Sequence, residues 1–333
     1  MPLAKKRILF LERQASGSVS IERVFAEIAS HLPDEYDVEF QKLEYGNGVV
    51  GILKNLLTFR KRPADIYHIT GHIHYMSLVL PADRTVLTIH DLVFLHNRTG
   101  IRRSILKKLF LDWPLRKLRF VTTISESTKS EIGRYCDDSQ VRVIENPLFE
   151  GFEAGDVKPF AADCPVILQI GTTDNKNVVS LIKAVAGSNC KLRIIGQLND
   201  NIINELKANG TNYENVESVG DNEIIAEYRN ADIVSFCSTY EGFGLPIIEA
   251  QAMGKPVITS DLAPMNAVAG SGALLVDPFD VSSIRVGIRR LIDDAAFREE
   301  LFALGAENVK RFEPKRIAKQ YADLYDEILA KRA

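Results

Sequence analysis

The sequence lacks the features that mark disulfide-linked, zinc-binding or membrane-spanning proteins. Its four cysteines are scattered and form no Cys-x-x-Cys pair, so neither a disulfide framework nor a zinc site is expected. It has no run of about 18 uncharged apolar residues. Residues 1–8 lead into a short apolar strand and do not resemble a signal peptide. We therefore expect a cytoplasmic protein without a spanning helix.

A strong excess of one charge is also absent, with 41 basic against 44 acidic residues. The charge is nevertheless distributed unevenly. Residues 1–150 carry 22 basic and 18 acidic side chains, whereas residues 151–333 carry 19 basic and 26 acidic side chains. Between residues 98 and 120, eight basic residues face only Asp112. No aromatic stacking platform or known binding motif accompanies these charges, so a nucleic-acid partner is not expected.

The basic stretch has the spacing of an amphipathic helix over residues 102–111, with Trp113 just beyond it. Such a segment suits a helix lying on an anionic membrane surface. A packed helix with a solvated basic face is an equal alternative. A second basic cluster upstream favours the membrane hypothesis, and it consists of Lys54, Arg60, Lys61 and Arg62.

Short apolar strands alternate with helical patterns along both halves of the chain, which predicts an α/β fold of two doubly wound domains. We expect a first domain over residues 1–150 and a linker over 151–163, which is rich in Gly, Pro and acids. A second domain is expected over 164–312. A last helix is expected in 313–333, and the family resemblance given below implies that it crosses back to the first domain.

Polar residues follow the predicted strands of the first half, at the edge where open α/β sheets bind ligands. Gly17 lies in the loop after the first strand, His72 and His74 follow the strand that ends near Ile69, and His90 and Asp91 follow the next. For any single histidine, a hydrogen-bonded structural role is an equal alternative. A dehydrogenase is disfavoured, because the first strand is not followed by a Gly-x-Gly-x-x-Gly turn.

The stretch from Thr239 to Asp261 is the most informative part of the second half. A strand is followed by a glycine-flanked loop and by a helix that Pro246 opens. Glycines let the backbone approach a ligand, and the N–H groups of a helix start can bind phosphate oxygens. Glu241 in the loop and Glu249 in the helix can line one pocket. Taken alone, this pattern also fits an ordinary strand-to-helix connection.

Several motifs in register make the sequence resemble the GT-B glycosyltransferases, in particular the large retaining group called family 4. The central match is Glu241 to Glu249, a Glu, seven residues, Glu motif that contains Gly-Phe-Gly-Leu-Pro. The other matches are Thr88-Ile89-His90-Asp91-Leu92, Thr123-Ile124-Ser125 with Lys129, Asn146-Pro147, Gly171 with Lys176-Asn177, Ser218-Val219-Gly220 and Leu274-Leu275-Val276-Asp277-Pro278.

The resemblance implies two Rossmann-like domains facing each other across a cleft, with a nucleotide-sugar donor on the second. Glu249 would hold the ribose and Glu241 the donor sugar, while Lys176 would meet the diphosphate. His90 and Asp91 would act at the reacting centre, and Gly17, His72 and His74 would lie on the acceptor side. The remaining donor-binding residues would be Gly171, Gly242, Phe243, Gly244 and Leu245. No metal or other cofactor is implied.

Two positions depart from the family pattern. Asn175 stands where relatives commonly carry an arginine before the lysine, which removes one phosphate-binding cation. Ala267 stands where relatives often carry a glutamate near the donor. Both departures leave open a specialised or weakly active enzyme, and they add some weight to a non-catalytic protein.

The sequence thus predicts a retaining glycosyltransferase that moves a sugar from a nucleotide sugar to a glycan or lipid-linked acceptor in surface polysaccharide synthesis. It would be cytoplasmic or peripheral on the inner face of the membrane. Two alternatives remain open. A nucleotide-sugar epimerase of the same fold would turn over the donor without an acceptor, and a non-catalytic protein would bind nucleotide without turnover.

Overall fold

A computed structural model describes residues 5–14, 20–96, 99–155 and 159–331. The chain divides into two compact units. The first consists of Met1–Pro147 with Glu313–Ala333, and the second of Leu148–Phe312. Residues 151–163, predicted as a linker, are grouped with the second unit.

The first unit is built on a parallel sheet of six strands in the order β2-β1-β3-β4-β5-β6. The strands are β1 Lys6–Glu12, β2 Tyr36–Lys42, β3 Ile66–Ile69, β4 Thr85–Ile89, β5 Phe120–Thr123 and β6 Val141–Val143. The helices are α1 Ser20–Ser30, α2 Val49–Thr58, α3 Val93–His96, α4 Gly100–Lys107, α5 Trp113–Lys117 and α6 Glu126–Gly133. Short 3₁₀ helices span His74–Leu78 and Ala82–Arg84, and a π-helical turn spans Lys108–Asp112.

The central strands of this sheet are buried on both faces, as expected for a parallel sheet covered by helices. Strand order reverses at β1, because β2 lies on one side of it and β3 on the other. In register, Phe10 of β1 is paired with Phe40 of β2 and with His68 of β3. Ligands of open α/β sheets bind beyond the carboxyl ends of the strands at such a switch point.

The last helix, α14 Pro314–Ala330, belongs to the first unit. Its apolar face carries the buried rings of Tyr321 and Tyr325. The hydroxyl of Tyr325 is hydrogen-bonded to Nδ1 of the buried His68 at 2.7 Å, and Nε2 of His68 lies 2.7 Å from Oγ1 of Thr88. A polar network with partners on both ring nitrogens therefore joins α14 to the sheet.

The second unit contains a second parallel sheet of six strands, in the order β12-β11-β10-β7-β8-β9. The strands are β7 Val166–Ile170, β8 Lys191–Ile195, β9 Tyr213–Val216, β10 Ile233–Phe236, β11 Val257–Ser260 and β12 Leu274–Val276. The helices are α7 Val178–Val185, α8 Asp200–Ala208, α9 Asp221–Asn230, α10 Leu245–Ala252, α11 Met265–Ala269, α12 Val281–Asp293 and α13 Ala295–Asn308. Two 3₁₀ helices span Asp174–Lys176 and Val309–Phe312.

If its strands are counted from β7, the second sheet has the order 3-2-1-4-5-6 of a dinucleotide-binding fold. Its switch point lies between β7 and β10, which are paired through Val234 and Leu168. The prediction of two doubly wound α/β units is thus confirmed.

Two elements of the first unit differ from the sequence-based expectation. The basic helix begins at Gly100, ends at Lys107 and is continued by the π-helical turn and by α5. Helix α2 was not predicted, because its sequence VVGILKNLLT is apolar on nearly every side and contains a glycine, so it shows no clear amphipathic period. Within the described ranges, no helix is long and apolar enough to cross a membrane.

Candidate functional site

Two loops of the second unit meet at its switch point. Residues 171–177 follow β7 and residues 237–244 follow β10, so both leave the carboxyl ends of neighbouring parallel strands. A 2.8 Å hydrogen bond from the Thr239 N–H to the Asn175 carbonyl joins them directly. The structure therefore brings together, from separate elements, the residues that the sequence placed on the donor side.

The ion pair between Lys176 and Glu241 lies where these loops meet. Nζ of Lys176 is 2.6 Å from Oε1 of Glu241, and both side chains are mostly buried. The ammonium also lies 4.6 Å from the ring centroid of Phe236, within reach of a cation–π interaction. Gly171 makes room for the lysine, because a Cβ at its position, with φ of 83°, would lie 3.1 Å from Cε of Lys176.

Asn175, which stands where an arginine was expected, holds the second loop. Its Nδ2 donates to the Tyr240 carbonyl at 3.0 Å and to Oε1 of Glu241 at 3.2 Å. Its own Oδ1 accepts from Oγ1 of Thr173 at 2.7 Å. The departure therefore replaces a cation with a neutral cross-link that positions Glu241.

Helix α10 begins at the end of the second loop. Gly244 precedes it with φ of 122°, and a Cβ there would lie 2.9 Å from Cδ1 of Ile247. Phe243 is buried edge-on against Phe312, with ring centroids 5.7 Å apart. These contacts fix the backbone of residues 242–245 at the helix start, where N–H groups lack intrahelical partners and favour anions.

Glu249 is buried in the second turn of α10. Its Oε2 accepts a 2.6 Å hydrogen bond from the hydroxyl of Tyr228 on α9. The Tyr228 ring is fully buried and packs edge-on against Phe152 at 5.5 Å. Sequence reasoning missed Tyr228, because its contact with Glu249 exists only after the two helices have packed.

Ala267, the second departure from the family pattern, lies exposed on α11. The neighbouring Asn266 donates from Nδ2 to Oδ1 of Asp261 at 3.0 Å. This pair places an acidic side chain on the loop that follows β11. No other feature of the described residues explains the alanine.

In the first unit, His90 follows β4 and is buried next to β3. Its Nε2–H donates to the Thr70 carbonyl at 2.8 Å, which leaves Nδ1 as the acceptor nitrogen of the neutral ring. Burial, followed by the nearby His72 ring, lowers the pKa of His90 to about 4. At neutral pH the ring can therefore accept a hydrogen bond through Nδ1.

Asp91 and His72 form a partly exposed pair beside His90. Their Oδ2 and Nε2 atoms are 3.4 Å apart, which makes an ion pair whenever the His72 ring is protonated. Burial opposes ionisation of Asp91, but His72 and the N–H of Val93, 3.0 Å from Oδ1, outweigh it and lower the pKa of Asp91 to about 2. A fixed carboxylate thus lies at this edge of the sheet.

His74 is fully buried beneath this pair. Its Nδ1–H donates to the Phe110 carbonyl at 2.6 Å, and its ring centroid is 6.0 Å from that of His72. Burial lowers its pKa to about 3. The side chain of His74 therefore lies below the surface of this edge, and its predicted place on the acceptor side stays a prediction. Gly17 lies outside the described residues.

The candidate residues therefore form two groups, one at the carboxyl edge of each sheet. His72, His90 and Asp91 share the carboxyl edge of the first sheet with Thr70. Gly171, Lys176, Glu241 and the start of α10 share that of the second. The assigned roles of these residues remain predictions.

Comparison with solved structures identifies proteins of similar fold. Sucrose-phosphate synthase from Thermosynechococcus elongatus matches 98% of this chain and 100% of its own, with a TM-score of 0.80 and 18% identity. Anabaena Alr3699/HepE, in complex with UDP and glucose, matches 97% of this chain and 100% of its own, with a TM-score of 0.78 and 16% identity. The two doubly wound units have the GT-B fold.

Sequence comparisons find similarity to one glycosyltransferase family. Residues 154–306 match the model of the family described as glycosyl transferases group 1. The O-antigen chain mannosyltransferase B of Escherichia coli is 27% identical in an alignment of 289 positions, which covers 78% of this chain and 74% of that protein. Over residues 154–306 the chain is therefore similar to the group 1 glycosyltransferases.

The buried histidines predict a loss of stability in mild acid. Burial lowers the pKa of His68 and His74 to about 3 and that of His90 to about 4, from an ordinary value of 6.5. Below pH 6.5 the unfolded chain takes up protons that the folded chain does not, so this stability is present above pH 6.5 and lost as pH falls. Each ring contributes up to about 1.4 kcal/mol per pH unit.

Urea unfolding between about pH 7 and pH 5 measures this effect, because most carboxylates remain ionised in both states in that range. NMR of the native protein supplies the control, since the imidazole signals of His68, His74 and His90 are expected not to titrate there. A free energy of unfolding that is constant over this range would contradict the prediction.

Asn175→Ala is expected to loosen the loop that carries Glu241. The variant loses the donors to Tyr240 and Glu241, and each lost hydrogen bond costs about 1 kcal/mol of local stability. Amide hydrogen exchange in residues 239–243 should become about tenfold faster. Asn209→Ala, which removes an amide bonded to the Glu205 carbonyl, is the matched control. Unchanged exchange in the loop would show that Asn175 does not hold it.

Proposed function

We propose that the chain is a retaining glycosyltransferase that transfers a sugar from a nucleotide-sugar donor to a glycan or lipid-linked saccharide. The observation that carries the proposal is the Lys176–Glu241 pair at the switch point between β7 and β10, beside the start of α10. Such a position suits a ligand with a diphosphate and a sugar.

The proposed chemistry uses the fixed positive groups of the second unit. When the bond between sugar and diphosphate breaks, negative charge grows on the leaving diphosphate. The Lys176 ammonium has three N–H donors and uses one of them for its hydrogen bond to Glu241, so the other two can donate to phosphate oxygens. N–H groups at the start of α10 act with it. The contacts of Gly171 and Asn175 hold Lys176 and these N–H groups in place. The positive groups can therefore stabilise the transition state without having to reorganise.

Glu249 is proposed to bind the ribose hydroxyls. A carboxylate accepts hydrogen bonds from hydroxyl groups, as Oε2 of Glu249 does from Tyr228 at 2.6 Å. The same bond fixes the rotamer of Glu249 inside a buried environment. Glu241 is proposed to contact the donor sugar, with its carboxylate oriented by Lys176 and Asn175.

The first unit is proposed to serve the acceptor side. Nδ1 of His90 can accept a hydrogen bond from a sugar hydroxyl, and Asp91 with His72 supplies a carboxylate and a ring at the same edge. The roles of His90 and Asp91 in catalysis, and of Gly17 at the acceptor, are expectations from the family resemblance.

The same resemblance supports activity without a metal ion or other cofactor. The relatives support two further assignments. A donor with a uridine base agrees with the UDP bound to the Anabaena protein, and a mannosyl donor agrees with the name of the Escherichia coli relative. The name of that relative also supports a place in surface polysaccharide synthesis.

Nucleoside diphosphates and their sugars are expected to raise the melting temperature of the protein. A ligand at about 100 times its Kd stabilises the folded state by about 2.7 kcal/mol, which corresponds to a shift of several degrees. Glu249→Ala should abolish most of this shift, and Tyr228→Phe should reduce it partly, because the carboxylate remains but is no longer fixed. Differential scanning fluorimetry measures both.

Glu299→Ala is the control, since it removes an exposed carboxylate of the same unit. It is expected to keep the full shift. A shift in Glu249→Ala equal to that of the wild type would remove the ribose assignment. If no nucleoside diphosphate or nucleotide sugar raises the melting temperature of the wild type, the proposed donor class is wrong.

Lys176→Ala is expected to lower sugar transfer by about 10²-fold, because a fixed cation beside the leaving group is lost. Lys183→Ala is the matched control: this lysine is half exposed and pairs with Glu205 at 3.2 Å. Transfer is measured with radiolabelled donor and the anomeric configuration by NMR. Donor interconversion without an acceptor would identify an epimerase, and binding without any turnover a non-catalytic protein. Either result overturns the proposal.

A further inference from the structure

Helix α2 of the first unit exposes an apolar stripe. Val49 is 77% exposed, Val50 65%, Leu53 55% and Leu57 85%. At about 100° per residue, these four side chains fall within a single arc of about 100° on the helix. Scattered apolar residues on a surface are ordinary, but a contiguous stripe of this kind marks an interaction site.

The orientation of α2 is fixed from its opposite face. Ile52 and Asn55 are buried there. Nδ2 of Asn55 donates to the Tyr45 carbonyl at 2.8 Å and to the hydroxyl of Tyr75 at 3.0 Å. The helix therefore cannot rotate to bury the stripe without breaking buried hydrogen bonds. It has one apolar face in the core and another in solvent.

Positive charge surrounds the stripe. Residues 45–63 contain four basic side chains and no acidic one. Lys54, Arg60, Lys61 and Arg62 are all exposed. Arg62 is 3.3 Å from Glu39 on β2 in an exposed pair. An apolar stripe with a basic border is the composition of a surface that binds anionic lipid headgroups.

The segment 98–120 is less free to act in this way than its sequence indicates. Ile101 and Ile105 of α4 are exposed, at 80% and 51%. However, three of its basic side chains are used within the protein: Arg103 donates to the Leu95 carbonyl, Lys107 pairs with Asp112, and Lys117 donates to the Leu78 carbonyl. Trp113 of α5 is partly exposed. Helices α2 and α5 both pack on the 3₁₀ helix His74–Leu78.

We propose that α2 is the main element by which this protein docks on an anionic lipid bilayer. The stripe of Val49, Val50, Leu53 and Leu57 enters the boundary between headgroups and acyl chains, and the basic residues meet the headgroups. This inference does not depend on the proposed sugar transfer, because it is measured without donor or acceptor.

A second copy of the chain fits this surface poorly. Two-fold pairing would place the same patch on both sides of the interface, so identical basic borders would face each other. Like charges brought together in this way oppose association. An anionic bilayer matches both the apolar stripe and its border.

Vesicle flotation with the full chain tests the proposal. The wild type should float with vesicles of phosphatidylcholine and phosphatidylglycerol, and much less with phosphatidylcholine alone or at high salt. Leu53→Gln with Leu57→Gln should weaken binding about tenfold, because the stripe loses its apolar centre. Both side chains are exposed, so circular dichroism and melting temperature should remain those of the wild type.

Phe279→Gln with Val286→Gln is the matched control, since these residues are 71% and 65% exposed in the second unit. Its binding should equal that of the wild type. The double variant Ile101→Gln with Ile105→Gln tests whether the segment 98–120 contributes to vesicle binding, for comparison with the α2 variant. The proposal fails if the wild type does not float, if the α2 variant floats as well as the wild type, or if the Ile101 and Ile105 variant alone loses binding. It also fails if sedimentation shows a dimer that the α2 variant disrupts.

Discussion

The reversal of strand order in each sheet is the constraint on which both candidate groups depend. In the second unit, the connections that follow β7 and β10 diverge to opposite faces, and the gap between them is where Lys176 and Glu241 meet. In the first unit the reversal occurs at β1, and Thr70 and His90 lie at the ends of the two strands that follow it in the sheet. Residues distant in sequence are thus joined because parallel strands end at one edge.

The Lys176–Glu241 pair shows how a neutral residue can serve a charged site. A mostly buried ammonium is costly without a partner, and Glu241 supplies that partner. A second cation at position 175 would leave one positive charge uncompensated until an anion arrived. Asn175 keeps the ligand-free site electrically balanced and ties Glu241 to the loop after β7. Asn175 therefore attracts a diphosphate less strongly than an arginine would, but it holds the Glu241 carboxylate in place.

The sequence predicted the elements with a clear period and missed contacts that depend on packing. Alternating short strands and helices gave both sheets, and the Gly, Pro and Glu pattern located the start of α10. The pairing of Tyr228 with Glu249 could not be predicted, because neither residue carries a local signal for the other. His74 and His90 follow strands in the same way in the sequence. Only the folded chain shows that one supports the sheet edge from below while the other lies at it.

Helix α2 shows why an exposed apolar face can be missed when only the sequence is considered. Period-based reasoning assumes one apolar face, so a helix that is apolar on two faces resembles a buried segment or none at all. The core buries Ile52 and, through its amide, Asn55, and it leaves the opposite side of the helix in solvent. The apolar area that Leu57 and Val49 expose can therefore be removed from water only by contact with another apolar surface. The basic residues around the stripe supply the second requirement of a surface that meets anionic lipid.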